Sequence, residues 1–264
     1  MFFFAYILIF LHRYIIIHIL RLNTRMLLNE KFIRLHTGMN IKIVQSCIST
    51  FDEIGKNDAI IALSQKNGVG RGDHVFYSPP GGLYIVMRLQ GVYINPHTLT
   101  PAVGLAVHDT VQSLLGMQTS LKWVNDVMYK NKKAAGILCK SPRKAEYLVG
   151  VGINYATPTI ELVRAKLNDV AISLQAPESR ATGFVTGLLT QIRRASIATF
   201  DHARYSKLCI NIGKQVGFIY NGVKVQGFAD RIEADGTLIV RIGNAEIAVD
   251  AGEVSIIREV SPNK

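Results

Sequence analysis

The segment "LKWVNDVMYKNKKAAGIL" (residues 121–138) joins the chain's single tryptophan to an Asn-Asp pair, a lysine-rich turn and small apolar residues. A solvent-exposed hairpin tip accounts for the lysines but not for the Trp-x-Asn-Asp directly before them. Two interpretations remain open. Either the tryptophan is core and the lysines are solvated, or Lys122 and Lys133 neutralise a polyphosphate while Asn125 and Asp126 hold Mg²⁺ or orient a nucleophile.

The surrounding sequence alternates between strand and helix patterns. Apolar runs predict strands at residues 41–48, 59–63, 83–89, 120–123, 134–140 and 147–155. Capping residues followed by helical periodicity predict helices that begin near Ser49-Thr50, at Thr100-Pro101 and at Phe184. His108 and Asp109 have no nucleophile near them in sequence, and we expect both at the surface.

The last part of the chain has a different pattern. After about residue 212, short apolar runs alternate with turn dipeptides at Asn221-Gly222, Asp235-Gly236 and Gly243-Asn244. Such regular hairpin spacing predicts a small β-barrel of about 45 residues after a mixed α/β domain.

Composition limits the class of protein. The 264 residues are 48% hydrophobic with a net charge of +11, and the basic residues are scattered rather than clustered. Scattered charge makes nucleic-acid binding a minor hypothesis, while an anionic cofactor such as a nucleoside triphosphate fits well. Cys47, Cys139 and Cys209 are too few and too far apart for a disulfide framework or a zinc site, which favours a reducing compartment.

The N-terminus is unusual. "FFFAYILIFLHRYIIIHIL" (residues 2–20) is nearly long enough to span a bilayer but is interrupted by His12, Arg13 and His18. It is a membrane anchor, an amphipathic surface helix, or upstream sequence read from a misplaced start codon. We favour the misplaced start, and we expect the folded chain to begin at Met39.

Two further glycine-containing segments are candidate ligand sites. In "GVGRG" (residues 68–72), backbone amides can form an anion-binding nest, and Arg71 adds a cation. The alternative is an ordinary flexible loop, since neither a Rossmann nor a P-loop spacing is present. "GVGIN" (residues 150–154) ends in Asn154 and taken alone indicates a close strand crossing.

In this order the three segments resemble the biotin–protein ligase family. "GVGRGD", "KWVND", "KAAGIL" and "GVGIN" are similar to the family's Gly-Arg loop, its Lys-Trp-Pro-Asn-Asp hairpin and its Gly-x-Gly-Ile-Asn strand, and "AISL" and "AGEVSI" follow in place. The resemblance implies an α/β (α+β) fold with a mixed sheet packed with helices, the class II synthetase-like biotin/lipoate ligase catalytic domain. It adds a small C-terminal SH3-like β-barrel. We therefore expect an atypical segment at 1–38, a catalytic domain at 39–210 and the SH3-like domain at 211–264.

The resemblance also implies an activity: ATP, biotin and Mg²⁺ give biotinyl-5'-AMP, and biotin then passes to a lysine of a biotin carboxyl carrier domain. It assigns catalytic roles to Lys133, Asp126 and Arg71. The implied biotin contacts are Ser49, Thr50, Gln65, Gly70, Arg71 and Lys133. The implied ATP contacts are Gly68, Phe76, Lys122, Asn125 and Asn154. We expect no specific DNA binding, because only about 40 atypical residues precede the catalytic pattern, where the family's repressor subgroup has a winged-helix domain. We also expect a monomer or homodimer and a cytoplasmic location.

The sequence departs from the family pattern at three positions. Phe51 replaces the asparagine of Ser-Thr-Asn, Val69 replaces the first loop arginine, and Val124 replaces the motif proline. A degenerate, non-catalytic biotin- or nucleotide-binding protein, or a lipoate or octanoate transferase on the same fold, are the alternatives.

Overall fold

The computed structural model describes residues 26–91, 94–250 and 254–257. The hydrophobic segment at residues 2–20, with its three interpretations, lies outside the described residues.

A seven-stranded sheet forms the centre of the larger domain. Its strands lie side by side in the order β1-β2-β3-β7-β6-β5-β4, with β1 and β2 parallel and all other pairs antiparallel. The strands are β1 Ile41–Val44, β2 Ala59–Ala62, β3 Leu83–Gln90, β4 Ser120–Lys122, β5 Asp126–Tyr129, β6 Lys132–Arg143 and β7 Glu146–Ile153. The predicted mixed sheet is confirmed.

One face of this sheet is covered by helices α1 Glu30–Thr37, α3 Pro96–Leu115, α5 Ala181–Ile197 and α6 His202–Leu208. The short helices α2 Thr50–Glu53 and α4 Thr159–Arg164 lie on the other face, where Phe51 of α2 packs with Ile60 and Val86. The two long helices, α3 and α5, pack against each other. Val107 and Leu188 from these helices share one apolar core with Ile85 and Val151 of the sheet. Because side chains alternate along a strand, every second residue points to the opposite face of the sheet. The long helices do not cover that face.

Three sequence predictions need correction. The first strand ends at Val44 instead of Ile48. Helix α3 begins at Pro96, and the side chain of Asn95 caps it by accepting a hydrogen bond from the His97 amide, so the expected start at Thr100-Pro101 lies inside the helix. His108 is buried, not exposed, and its Nδ1 lies 2.7 Å from the Thr119 hydroxyl.

Packing begins earlier than the Met39 start that the sequence suggested. Helix α1 lies against α5, and Ile33 is 0% exposed within the main core. Met26 is buried in the same cluster, and the Arg193 guanidinium donates to the Thr37 carbonyl at 3.1 Å. Residues 26–37 therefore contribute to the hydrophobic core.

The smaller domain is a five-stranded antiparallel sheet in the order β11-β10-β9-β8-β12. Its strands are β8 Gln215–Tyr220, β9 Val223–Ile232, β10 Leu238–Ile242, β11 Ala245–Val249 and β12 Ser255–Ile256. All three predicted turn dipeptides lie between consecutive strands, and Asn221 and Gly222 both have positive φ, as a tight two-residue hairpin turn requires. The arrangement is compatible with the expected SH3-like barrel.

Across the described ranges, the model contains no helix with both the length and the apolar character needed to cross a membrane.

Candidate active site

One row of residues crosses the open face of the large sheet and forms the floor of a cavity. Strand register places these residues directly beside one another, strand by strand: Ala62, Tyr84, Gly152, Gly136, Asp126 and Lys122. Two glycines at the centre leave room on the floor, while a carboxylate and an ammonium group lie at one end. The cavity above has a volume of about 1100 Å³.

Lys133 reaches over this floor to Asp126. Its Nζ lies 2.6 Å from Asp126 Oδ1 and 5.5 Å from the centroid of the Phe76 ring. The two strands change register between Val127 and Met128, so that Met128 pairs with Lys133. This bulge adds one residue to β6 and turns Lys133 to the same side of the sheet as Gly136. It thereby brings the cation and the carboxylate together.

A hydrogen-bonded chain organises the other end of the cavity. The backbone amide and the hydroxyl of Thr50 both donate to Gln65 Oε1 at 2.8 Å. Gln65 Nε2 donates to Ser78 Oγ at 3.0 Å, and that hydroxyl donates to the Phe76 carbonyl at 2.7 Å. Ser78, which fixes the orientation of the Gln65 amide, belongs to no motif that could have indicated it in advance.

Two phenylalanine rings lie on glycines of the open face. A Cβ atom on Gly152 would fall 2.6 Å from the Phe76 ring, and one on Gly136 would fall 2.9 Å from it. A Cβ atom on Gly150 would fall 2.5 Å from Phe51 Cζ. The glycines of "GVGIN" therefore provide space for aromatic rings, which is a more specific role than the close strand crossing expected from the sequence.

Tyr84 supports the Phe76 ring from the floor. The two rings meet edge to face with centroids 6.3 Å apart, and the Tyr84 hydroxyl donates to the Pro79 carbonyl at 2.8 Å. Burial raises the pKa of Tyr84 far above its usual range, so that this phenol stays neutral and remains a donor.

The glycine-arginine loop folds into a small hairpin beside the cavity. Val69 and Val75 form an antiparallel bridge, and the Gly70 amide donates to the His74 carbonyl at 2.8 Å. Arg71 lies at the tip and lines the cavity. Gly68 lies at the base, where a Cβ atom would fall 2.3 Å from the Phe76 carbonyl oxygen. Position 68 therefore requires a glycine because the Phe76 backbone packs closely against it.

Asn125 and Asn154 line the cavity and also tie its strands together. The backbone carbonyl of Asn125 accepts a hydrogen bond from the Ile137 backbone amide at 2.8 Å. The backbone amide of Asn154 donates one to the Ala134 backbone carbonyl at 2.9 Å. Their side-chain amide groups make only long contacts, at 3.4 and 3.5 Å, to backbone carbonyls. Their side-chain oxygens are therefore available to a ligand or an ion.

Trp123 connects the site to the smaller domain. The ring is 3% exposed, and its Nε1 donates to the Gly236 carbonyl at 3.0 Å. Its backbone amide donates to Asn211 Oδ1 at 2.8 Å, and its peptide bond to Val124 is cis. The core interpretation of this tryptophan is thus correct, and Asn125 and Asp126 follow it directly. The smaller domain also lines the cavity, through Lys214 and residues 254–256.

The structure brings most of the predicted site residues together. The following line the one cavity: Thr50, Gln65, Gly70, Arg71, Phe76, Lys122, Asn125, Asp126, Lys133 and Asn154. Ser49 and Gly68 are not among the lining residues. The buried Ser49 hydroxyl makes no hydrogen bond to any part of the chain that the structure describes.

Comparisons with known proteins agree with this geometry. Residues 48–154 match the model of the biotin/lipoate A/B protein ligase family. A biotin–[acetyl-CoA-carboxylase] ligase of Mycobacterium tuberculosis is 31% identical over 216 residues, which cover 76% of this chain and 80% of that protein. The bifunctional ligase/repressor BirA of Escherichia coli is 26% identical over 227 residues, or 80% of this chain and 70% of that protein.

The fold is also that of a solved ligase. The biotin protein ligase from Aquifex aeolicus, in complex with biotin and ATP, superposes with a TM-score of 0.69 at 22% identity, covering 83% of this chain and 99% of that one. The structural similarity shows that the two proteins share a fold. The mycobacterial ligase is in addition similar in sequence to this chain over most of that ligase's own length. The chain belongs to the biotin–protein ligase family.

Proposed function

We propose that this chain is an ATP-dependent biotin–protein ligase. It forms biotinyl-5'-AMP from biotin and ATP and transfers the biotin to a specific lysine of a biotin carboxyl carrier domain. The observation that carries this proposal is the position of the Lys133–Asp126 ion pair. It lies on the cavity floor next to Asn125, toward the end opposite the Thr50–Gln65 network.

Biotin is proposed to occupy the end organised by Gln65. Thr50, Gln65, Gly70 and Arg71 would contact it there, with Lys133 at its carboxylate. Ser49 is included because its buried hydroxyl has no partner among the described residues, and an unpaired buried hydroxyl costs about 1–3 kcal/mol. A hydrogen bond from a ligand would offset that cost.

ATP is proposed to lie above the floor, against the Phe76 ring that rests on its two glycines. Phe76 would cover the adenine, Lys122 would face the phosphates, and Asn125 and Asn154 offer amide groups. Gly68 contributes indirectly, since it allows the Phe76 backbone to approach. The ATP phosphates and the biotin carboxylate are both negatively charged and repel each other. The cations of Lys122, Lys133 and Arg71 along the cavity offset this repulsion.

In the first step a biotin carboxylate oxygen attacks the α-phosphorus of ATP. A new P–O bond forms, the bond to the β-phosphate oxygen breaks, and pyrophosphate leaves. Both reacting groups are anionic, so Lys133 lowers the barrier by placing its ammonium between the carboxylate and the α-phosphate, and Arg71 assists.

In the second step the acceptor lysine amine attacks the acyl carbon of the adenylate. The C–N bond forms, the C–O bond to AMP breaks, and the amine loses a proton. Asp126, whose side chain is 15% exposed beside the floor, is the proposed acceptor of that proton.

Magnesium is proposed to arrive with the nucleotide. The described part of the chain contains no cluster of three acidic, histidine or cysteine side chains suited to a metal. Mg²⁺ bound to a nucleotide is held mainly by phosphates and water and takes one or two protein oxygens. Asp126 and the amide oxygen of Asn125 or Asn154 fit this donor set, and the ion would neutralise phosphate charge.

The remaining assignments are proposals about context. We propose a cytoplasmic location, since all three cysteines are free thiols, as is usual in reducing compartments. The carrier domain is the proposed protein partner, specific DNA binding is not expected, and the chain is proposed to act as a monomer or homodimer.

The test is Lys133→Ala, assayed by biotin-dependent pyrophosphate release from ATP with and without an acceptor domain. We expect adenylation to fall by roughly two orders of magnitude or more, because a preorganised charge in the site is lost. Lys144→Ala is the matched control, since Lys144 is exposed at the opposite end of β6. Adenylation at near wild-type rates in the Lys133 variant would contradict its role.

The same assay separates the alternatives. A degenerate binding protein would bind biotin or nucleotide without releasing pyrophosphate. A lipoate or octanoate transferase would release pyrophosphate with lipoate or octanoate, or transfer an existing acyl group, but would not respond to biotin.

A further inference from the structure

We propose that Phe51 is a specificity-determining residue: its ring forms the apolar wall of the biotin end, and Gly150 is a glycine because this ring lies on it. The inference rests on the proposed function for the identity of the ligand. The contact between the ring and the glycine is a feature of the structure itself.

The ring belongs to the cavity. Phe51 is among the lining residues and directly follows Thr50, whose amide and hydroxyl hold Gln65 Oε1 at 2.8 Å. Its Cζ and Cε2 atoms lie 2.5 and 2.6 Å from the position that a Cβ atom on Gly150 would take. Real Cβ atoms do not approach other atoms so closely, so any larger residue at position 150 must move the ring.

The ring has little freedom to move away from the cavity. Behind it lies an apolar cluster formed by Ile54, Ile60, Val86 and Leu148. The Lys140 ammonium lies 4.6 Å from the ring centroid, a cation–π contact on an exposed side chain. Close-packed side chains resist displacement. A Cβ atom on Gly150 would therefore displace the Phe51 ring from its place in the cavity wall.

The Phe51 wall discriminates between ligands by the polarity of the group that packs against it. Biotin has a polar ureido ring and a fused, sulfur-containing ring that is apolar. The polar groups at this end lie on Thr50, Gln65 and the loop of Gly70 and Arg71, whereas Phe51 presents only carbon. An apolar group packs against an aromatic face without losing a hydrogen bond, whereas a polar group there would be left unpaired. Phe51 therefore favours a ligand whose second ring is apolar and closed.

The test is a double-mutant cycle on biotin affinity, measured by calorimetry with the full chain. We expect Phe51→Ala and Gly150→Ala each to weaken biotin binding by about tenfold or more, the former by removing the wall and the latter by displacing it. In the Phe51→Ala background, Gly150→Ala should have almost no further effect. Gly183→Ala is the control, because a Cβ atom at this position would meet nothing within 4 Å.

A second arm measures selectivity. The wild-type chain should prefer biotin to dethiobiotin, which lacks the sulfur and the closed second ring, and Phe51→Ala should reduce this preference severalfold. ATP affinity should change little in either variant, since the wall lies at the biotin end.

Each outcome decides the proposal. An equal loss from Gly150→Ala in both backgrounds means that Gly150 contacts the ligand itself, which overturns it. Unchanged biotin affinity and selectivity in Phe51→Ala also overturn it. If Gly150→Ala does not fold but the double variant does, the steric part is supported, and Phe51→Ala alone decides the role in selectivity. A wild-type chain that binds no biotin would refute the proposed function first and this inference with it.

Discussion

Ile33→Ala tests whether helix α1 is an essential part of the catalytic domain. The side chain is 0% exposed and belongs to the main core, whereas Leu35 of the same helix is 78% exposed. The two residues have the same number of carbon atoms, and both substitutions leave a good helix former. Comparing the two variants isolates the contribution of burial from that of helix propensity.

The magnitude follows from the burial of the two side chains. Truncating a fully buried isoleucine to alanine costs about 2–5 kcal/mol, through lost transfer free energy and the cavity that remains. For a chain of this size, a loss of about 3 kcal/mol lowers the unfolding temperature by roughly 6–12 °C. Leu35→Ala should change stability by no more than about 0.5 kcal/mol, because the side chain is already in water.

Thermal and urea unfolding of the two variants are the measurements. A chain that begins at Met26 keeps all of the described core residues and is the reference form. One that begins at Met39 should lose more than Ile33→Ala, since it also lacks the buried Met26 and the Thr37 carbonyl that Arg193 binds. Equal stabilities of Ile33→Ala and Leu35→Ala, or full stability of the Met39 form, would refute the argument that α1 completes the core.

Three further outcomes are expected. Arg71→Ala should weaken biotin binding and speed adenylate release, together by more than about tenfold, since a charge-assisted contact contributes roughly 1.5–3 kcal/mol. The measurements are biotin affinity by calorimetry and the rate of adenylate release, with Lys66→Ala as the control, and unchanged values of both would contradict the expected role of Arg71. Trp123→Phe should lower the free energy of unfolding by about 1–3 kcal/mol, because it leaves the buried Gly236 carbonyl unpaired. An unchanged urea midpoint of the Trp123→Phe variant would contradict this expected loss of stability. Burial lowers the pKa of His108, so protons bind better to the unfolded chain and stability should fall as pH drops below about 6.5. His108→Gln should flatten that part of the pH–stability profile, and His202→Gln, at an exposed position, should not.

Local chemistry predicted the parts of the fold that depend on neighbouring residues. The hairpins at Asn221-Gly222 and Asp235-Gly236 formed as expected, because such turns need residues that tolerate positive φ. The start of α3 was misplaced because two proline signals compete. Asn95-Pro96 and Thr100-Pro101 both resemble a cap followed by a proline, and only the first lies at the helix end.

Most of the residues that line the cavity together could be named from the sequence, but their contacts could not. Lys133 and Asp126 lie in one short segment, and the family resemblance singled them out. The contacts of Phe76 with Gly152 and of Trp123 with Gly236 join residues far apart in the chain, and periodicity carries no information about such pairs. The burial of His108 has the same cause, since its partner Thr119 comes from the segment after the helix.

The bulge between β5 and β6 also decides which face of the sheet carries the Lys133 side chain. Along a regular strand, residues separated by an odd number of positions face opposite sides of the sheet, yet Lys133 and Gly136 face the same side. The single extra residue reverses that parity. If the same residues paired in a regular ladder with no bulge, every side chain would be chemically unchanged, yet the Lys133 ammonium would point into the helix-covered layer. The irregularity in the ladder, and not the spacing in the sequence, therefore places this cation in the cavity.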